Sequence, residues 1–543
     1  MKTRYILAIC CLPSFATAGL ASDGDDARRF TAERVFDLEY ADDPQISPDG
    51  STIIYARKSM DRFADQVVSD LWTIDTRSGS QRPLVSGQGS SSSVRWSPDG
   101  NRVIYLTSTN GKPDLRLRYQ DSGDSFSLTQ LEQGPGAPVW SPDGKSVAFS
   151  MLVPDEPATF AKPMRIIDDL VFRFDGAGYL PKGKTQIFTL SAEGGTPRQV
   201  THAENGFDAP QWLGNDALLV TGNEAEDADL DPIESEIYRV DLASETVTAL
   251  TQRDGPDFAP IVSPNGARIA YRGYDDKLKS YQHSDVYVIA PDGSGVQNLT
   301  ANFDRSIDAI AWRPDGRALV GQTEVDGILT LVSIDLSGNV RNLVSDIGGT
   351  SLGRPYASGS FSVASKAGGS SPMIAYTKGS SNRPAEVALT RGSGNGRQLT
   401  RLNEDALGRL DLARIEEIKV ASTHDGREIE AWVALPPNFR PDGTFPMILE
   451  IHGGPNTMYG PYFAAEIQRY AAEGYVTVYA NPRGSTGYGE SFAQLIDLDY
   501  PGHDHDDLMS VVDALLAKNY VSKDRLFITG GSGGGVLTAW AVG

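Results

Sequence analysis

Cysteine is nearly absent: the 543 residues contain two, Cys10 and Cys11. Both fall in a short N-terminal stretch that reads as a leader. Lys2 and Arg4 give it a basic start, Tyr5 to Phe15 an apolar core, and Ala16-Thr17-Ala18 an A-x-A cleavage site. A second cleavage site after Ala21 is an alternative. A membrane anchor is the weaker reading, because the apolar run is short and holds Pro13. Without residues 1–18 the chain has no cysteine, which excludes a disulfide framework, a thiol nucleophile and a thiolate metal site. No later apolar run is long enough to cross a bilayer as a helix. The expectation is an exported protein, periplasmic or secreted, that leaves the membrane once the leader is cut.

Positive charge is also in short supply. With the leader removed, 47 basic residues face 71 acidic ones, a net charge of −24. Nucleic acid and anionic membrane surfaces are therefore poor partners. Histidine is scarce too, at six residues, so any chemistry that needs an imidazole has few candidates.

Glycine (56) and proline (32) are plentiful, and they recur in register. Ser-Pro-Asp-Gly occupies 47–50, 97–100 and 141–144; Ser-Pro-Asn-Gly follows at 263–266 and Arg-Pro-Asp-Gly at 313–316. An apolar residue precedes each: Ile46, Trp96, Trp140, Val262 and Trp312. Proline presets φ and glycine accepts positive φ, so each motif is a tight turn, and a β-rich run such as Arg102 to Leu106 follows it. An alternating strand comes later in each unit, and Leu-Thr or Val-Thr closes units at 128–129, 200–201, 250–251, 299–300 and 399–400. Degraded copies fit at 210–216, where Trp212 keeps its place, and from Phe361 through Tyr376. Seven units of about fifty residues predict a seven-bladed β-propeller over 40–405, preceded by a segment at 19–39. A β-sandwich gives no reason for a fixed period. An insertion at 151–184 and an acidic loop at 223–236 interrupt the repeat; the loop lacks the spacing of a calcium site.

From 406 the pattern changes to alternating strands and helices, which predicts an α/β domain over 406–543. His424-Asp-Gly426 turns a hairpin. Pro446 to Ile451 and Val476 to Tyr479 read as buried parallel strands, and Asp506 to Leu516 reads as a helix. The strand-like run Arg525 to Thr529 leads into Gly530-x-Ser532-x-Gly534, and Val536 to Val542 reads as a helix. Strand, glycine turn and helix predict a nucleophile elbow that projects Ser532. His452-Gly-Gly-Pro455, at the end of an earlier strand, predicts an oxyanion loop. Its donors would be the N–H of Gly454, or of Gly453, together with that of Gly533.

Together with Asn481-Pro-Arg-Gly-Ser-Thr-Gly-Tyr-Gly489, these motifs give the chain a resemblance to the prolyl oligopeptidase family of serine peptidases. Phe172 to Tyr179 and the His-Gly-Gly-Pro form resemble its acylaminoacyl-peptidase and dipeptidyl-peptidase branch. The resemblance implies Ser532 as nucleophile, Gly454 and Gly533 as oxyanion donors, short peptides as substrates, access gated by the propeller, and no cofactor or metal. Arg483 matches a family position and is read as structural. The family usually has an aromatic residue after the serine, where this chain has Gly533. It also takes its triad Asp and His from later strands, so an incomplete hydrolase domain, inactive as written, is expected. The alternative is a non-catalytic periplasmic propeller that binds ligands and carries a vestigial hydrolase remnant. His503-Asp-His505 looks like a metal cluster, but its acids are explained by the start of a helix.

Overall fold

The computed structural model describes residues 27–87, 89–109, 112–129, 131–155, 166–366 and 371–543. The leader therefore lies outside the described residues. Seven four-stranded antiparallel sheets follow one another from Glu39 to Gln398, each built from successive strands except in blade three, where a two-stranded hairpin, Arg173–Phe174 with Gly178–Tyr179, intervenes between the second and third strands. First strands of neighbouring blades meet one another, and the first strand of blade one meets that of blade seven, so these strands ring a central axis. The protein is a seven-bladed propeller.

The repeated motif has three separate physical uses. In the turn, the side chain at the third position caps the backbone two residues on: Asp49 accepts from Ser51 N–H, Asp143 from Lys145 N–H and Asp315 from Arg317 N–H, at 3.0–3.1 Å. The glycine beside it sits at φ of 62–79° in all five copies. The tryptophan joins blades. The indole N–H of Trp96 donates to Gln45 O (2.9 Å), Trp140 to Arg95 O (3.1 Å), Trp212 to Val139 O (3.2 Å) and Trp312 to Ile261 O (3.2 Å). Each ring therefore fills the space between two blades and satisfies a carbonyl on the inner strand of the preceding one. The closing threonine replaces a missing rung: Thr201, Thr251, Thr300 and Thr400 hydroxyls accept N–H bonds from Ile187, Ile237, Val286 and Val387, at 2.8–2.9 Å. The outermost strand can then be as short as two residues.

One feature of the blades was not visible in the repeat. Inner strands bulge, with Asp43, Ser93, Ala137, Ala209 and Ala259 at φ of 44–54°. A bulge sharpens the local twist and turns each inner strand toward the axis. Among the described residues no strand is exchanged between blades one and seven. The ring closes on side chains instead: Ile46, Tyr55 and Ile74 pack on Met373, Val387 and Leu399, while Ser362 Oγ donates to Pro44 O at 2.6 Å.

The C-terminal domain has one five-stranded sheet. Its strands are β1 (Arg414–Ala421), β2 (Glu428–Leu435), β3 (Phe445–Ile451), β4 (Val476–Asn481) and β5 (Val521–Gly530), in the order β1-β2-β4-β3-β5. β3 runs parallel to β4 and β5, and β2 pairs antiparallel with β1 and β4. Helices α1 (Ala465–Ala472), α2 (Asp504–Ala517) and α3 (Gly533–Val542) pack on it. Leu508, Val511 and Leu515 of α2 cover Val433, Leu449 and Val478 of the sheet. Among the described residues, no helix is long and apolar enough to cross a membrane.

The indole staples predict that Trp312→Phe, which keeps the ring but loses the donor to Ile261 O, lowers unfolding free energy by about 1–2 kcal/mol. Trp540→Phe, at a residue 57 % exposed, should leave it unchanged. Denaturant unfolding of both variants checks this.

Candidate active site

Ser532 stands on the turn between β5 and α3, exposed, with φ 55° and ψ −118°. A serine at positive φ is strained, and such strain survives only where surroundings impose it. Here two glycines impose it. A Cβ on Gly530 would lie 2.6 Å from the backbone of Gly534, and a Cβ on Gly534 would lie 2.2 Å from Ile451 O. The turn therefore folds back on itself while it presses against the end of β3, and side chains at 530 or 534 would force it open.

The end of β3 is the His-Gly-Gly-Pro loop. Gly454 has φ 116° and lies beside Gly533, where an added Cβ would be 3.3 Å from the Gly454 carbonyl group. The structure thus brings together the three residues singled out from sequence. It also separates Gly454 from Gly453, since the Gly453 N–H donates to Tyr356 Oη at 2.8 Å and is not free. Tyr500 Oη donates to Gly533 O at 2.7 Å, which fixes the peptide between Gly533 and Gly534.

His452 is buried, with Nε2 3.0 Å from Ser485 Oγ and Nδ1 2.8 Å from Gly453 O. Burial pushes its pKa down to about 4, so it is neutral at pH 7. It ties the glycine loop to the Asn-Pro-Arg-Gly-Ser loop, and both ring nitrogens are engaged in that task. Arg483 is structural: its guanidinium forks onto Asp507 at 2.9 and 2.7 Å, with both side chains buried. His503 pairs with Asp506 at 2.8 Å, and His424 joins them, whereas the sequence had suggested His505. The rings of His424 and His503 stack face to face at 3.4 Å. A metal binds in the plane of an imidazole, so two stacked rings do not aim at one ion. Among the described residues none hydrogen-bonds to Ser532 Oγ.

Sequence reasoning missed the contribution of the propeller. Arg354 Nε lies 3.1 Å from Glu450 Oε1 and 3.0 Å from Glu466 Oε2, and the Tyr356 ring packs 4.8 Å from Tyr459. These residues sit between the sixth and seventh repeats, in a segment that carries no repeat motif and looks like a linker. Glu450 is fully buried on β3; burial, opposed by Arg354, pushes its carboxyl up to about 7.

Residues 461–543 match the prolyl oligopeptidase family. The chain is 28 % identical to "Uncharacterized peptidase YuxL" of Bacillus subtilis over 94 % of this chain and 80 % of that protein. It is 24 % identical to "Dipeptidyl-peptidase 5" of Porphyromonas gingivalis over 94 % and 76 %. Among solved structures it is similar to the acylaminoacyl peptidase of Pyrococcus horikoshii, with a TM-score of 0.77 at 22 % identity, covering 94 % of this chain and 76 % of that one. The likeness to that peptidase is one of fold, propeller followed by hydrolase domain.

The contact between the two domains carries a pH dependence. Glu324, on an inner-sheet strand of blade six, accepts the hydroxyl of Thr486 in the Asn-Pro-Arg-Gly-Ser-Thr loop. Burial, with help from nearby Asp308, pushes its carboxyl up from 4.5 to about 7. The folded state then binds more protons than the unfolded one, so the stability from this group is full below about 4.5 and is lost as pH rises through about 7. Glu324→Gln should raise the melting temperature at pH 8 and leave it unchanged at pH 5. Equal shifts at the two pH values in thermal unfolding would contradict this.

Proposed function

We propose that this chain carries the propeller and the nucleophile of a serine peptidase that cleaves short peptides. Ser532 Oγ attacks the scissile carbonyl, and its proton passes to a base. The carbonyl oxygen becomes an oxyanion held by the N–H groups of Gly454 and Gly533. Collapse breaks the C–N bond, the base returns the proton to the leaving amine, and water later hydrolyses the acyl ester. The observation that carries this reading is the pairing of a strained, exposed Ser532 with the backbone of Gly454 laid against Gly533.

The base and the acid belong, on this reading, to chain outside the 543 residues. Two features support it beyond the lack of a partner for Ser532 Oγ. β5 is the outer strand of its sheet, with Leu526 and Phe527 exposed, and α3 exposes Val536, Trp540 and Val542. An edge strand and helix with this much open apolar surface call for further strands beside them. Without an acid and a base beside it, Ser532 would lose up to about 10⁶ in kcat. The propeller's part is to admit short peptides and to keep folded proteins from Ser532. The names of its relatives favour action near a peptide N-terminus, and the leader at 1–18 favours work outside the cytoplasm.

The test uses the protein extended to the full length of its relatives. A serine-directed fluorophosphonate should label it, and Ser532→Ala should abolish both labelling and hydrolysis of short peptide amides. Retention of either activity in Ser532→Ala would sink the assignment of the nucleophile, and a wild type with neither activity would leave the propeller as a binding module.

A further inference from the structure

The segment between the last strand of blade six, Val340–Val344, and the first of blade seven, Phe361–Val363, leaves the propeller and runs along the hydrolase domain. After Ile347–Gly349, which bond to blade seven, its backbone is bonded to the hydrolase domain from Leu352 to Pro355: Gly460 N–H donates to Pro355 O (2.9 Å), Ala465 N–H to Leu352 O (2.8 Å) and Glu466 N–H to Gly353 O (3.2 Å). Tyr356 and Tyr459 form an isolated antiparallel bridge. This segment is therefore fixed to the α/β domain by main-chain bonds as well as side chains.

Two of its side chains reach the two loops that meet at Ser532. Tyr356 Oη takes the Gly453 N–H, and an added Cβ on Gly453 would be 3.2 Å from that oxygen, 2.9 Å from Gly531 O and 3.3 Å from Ser532 Cβ. Tyr356 thus touches the glycine loop where it faces the elbow. Arg354 approaches from the other side, with its Nη1 2.2 Å from where a Cβ on Gly531 would stand. Its Nε is anchored between Glu450 on β3 and Glu466 on α1. The guanidinium therefore spans the residue that leads into the glycine loop, the first turn of α1 and the peptide before the nucleophile. Glu450 Oε2 is buried with no hydrogen-bond partner, so the Arg354 charge and the Tyr459 hydroxyl, which donates to Oε1 at 3.2 Å, are what keep this carboxylate tolerable beneath the site.

We propose that Arg354 and Tyr356 are positioning residues of the Ser532 centre, supplied by the propeller. Tyr356 holds Gly453 so that the Gly454 N–H, not its neighbour, faces the oxyanion, and Arg354 sets the elbow through Gly531. The inference rests on the peptidase reading above and adds a consequence to it: the site is assembled only while the two domains are docked. A hydrolase domain cut free of the propeller loses both supports. A side chain at 531 would then have to displace the Arg354 guanidinium.

The experiment uses the full-length protein and reads two rates, kcat for a short peptide amide and the second-order rate of Ser532 labelling by a fluorophosphonate. Tyr356→Phe keeps the ring on Tyr459 and removes only the hydroxyl. Both rates should fall about tenfold, the value of one well-placed hydrogen bond, with KM within about twofold and the melting temperature held. Arg354→Lys keeps the charge but not the planar fork, so it should lose both rates as well. Unchanged rates in a folded Tyr356→Phe overturn the tyrosine's role, and a change confined to KM makes it a substrate contact instead. Full rates in Arg354→Lys show that charge alone matters and overturn the arginine's role. Should Tyr356→Phe fail to fold, Arg354→Lys carries the test. Wild-type protein that is not labelled at Ser532 overturns the peptidase reading itself and this proposal with it; labelled wild type with indifferent variants overturns this proposal alone.

Discussion

The structure depends on one close backbone contact, that of the Gly530–Gly534 turn against the end of β3. Gly534 stands where any Cβ would collide with Ile451 O, and Gly530 where one would collide with Gly534 itself. That contact forces Ser532 into positive φ and brings Gly533 beside Gly454. Everything chemical in the site follows from glycines that let two turns touch. The rest of the α/β domain keeps them there: β3 and β5 are adjacent and parallel, so their C-terminal ends emerge side by side, where ligands bind in open parallel sheets.

The support for this contact comes from three directions. From below, neutral His452 locks the glycine loop to Ser485, and the Arg483–Asp507 pair locks that loop to α2. Beside it, Tyr500 pins the Gly533 carbonyl. From the propeller, Tyr356 and Arg354 reach both turns. These buried polar groups are tolerable because nearly all are paired, and removing one partner costs more than the pair contributes. The propeller is thus a support as well as a neighbour, and its own rigidity rests on the indole staples that join successive blades.

Much of this was legible in the sequence wherever one residue type does a job that no other can. Gly at the fourth position of each turn, Trp before it and Thr at the end of each unit recur because each meets a fixed backbone need. Ser532, Gly454 and Gly533 could be named for the same reason. The inner-strand bulges were hidden, because residues as different as Asp43 and Ala259 adopt the same φ and leave no pattern. Arg354 and Tyr356 were hidden more thoroughly. They act across about a hundred residues or more of chain, from a segment between repeats, and an arginine or tyrosine in such a place has no distinguishing period. That the Gly453 N–H is taken by Tyr356 could be known only once the two domains were seen together.

The most direct measurement is a crystal structure of the full-length protein with a phosphonate bound covalently. The account predicts a bond from Ser532 Oγ to phosphorus, with the phosphoryl oxygen about 2.8 Å from the N–H groups of both Gly454 and Gly533 and the Gly453 N–H still on Tyr356. An adduct on another residue, or a phosphoryl oxygen turned away from that pair of amides, would contradict it.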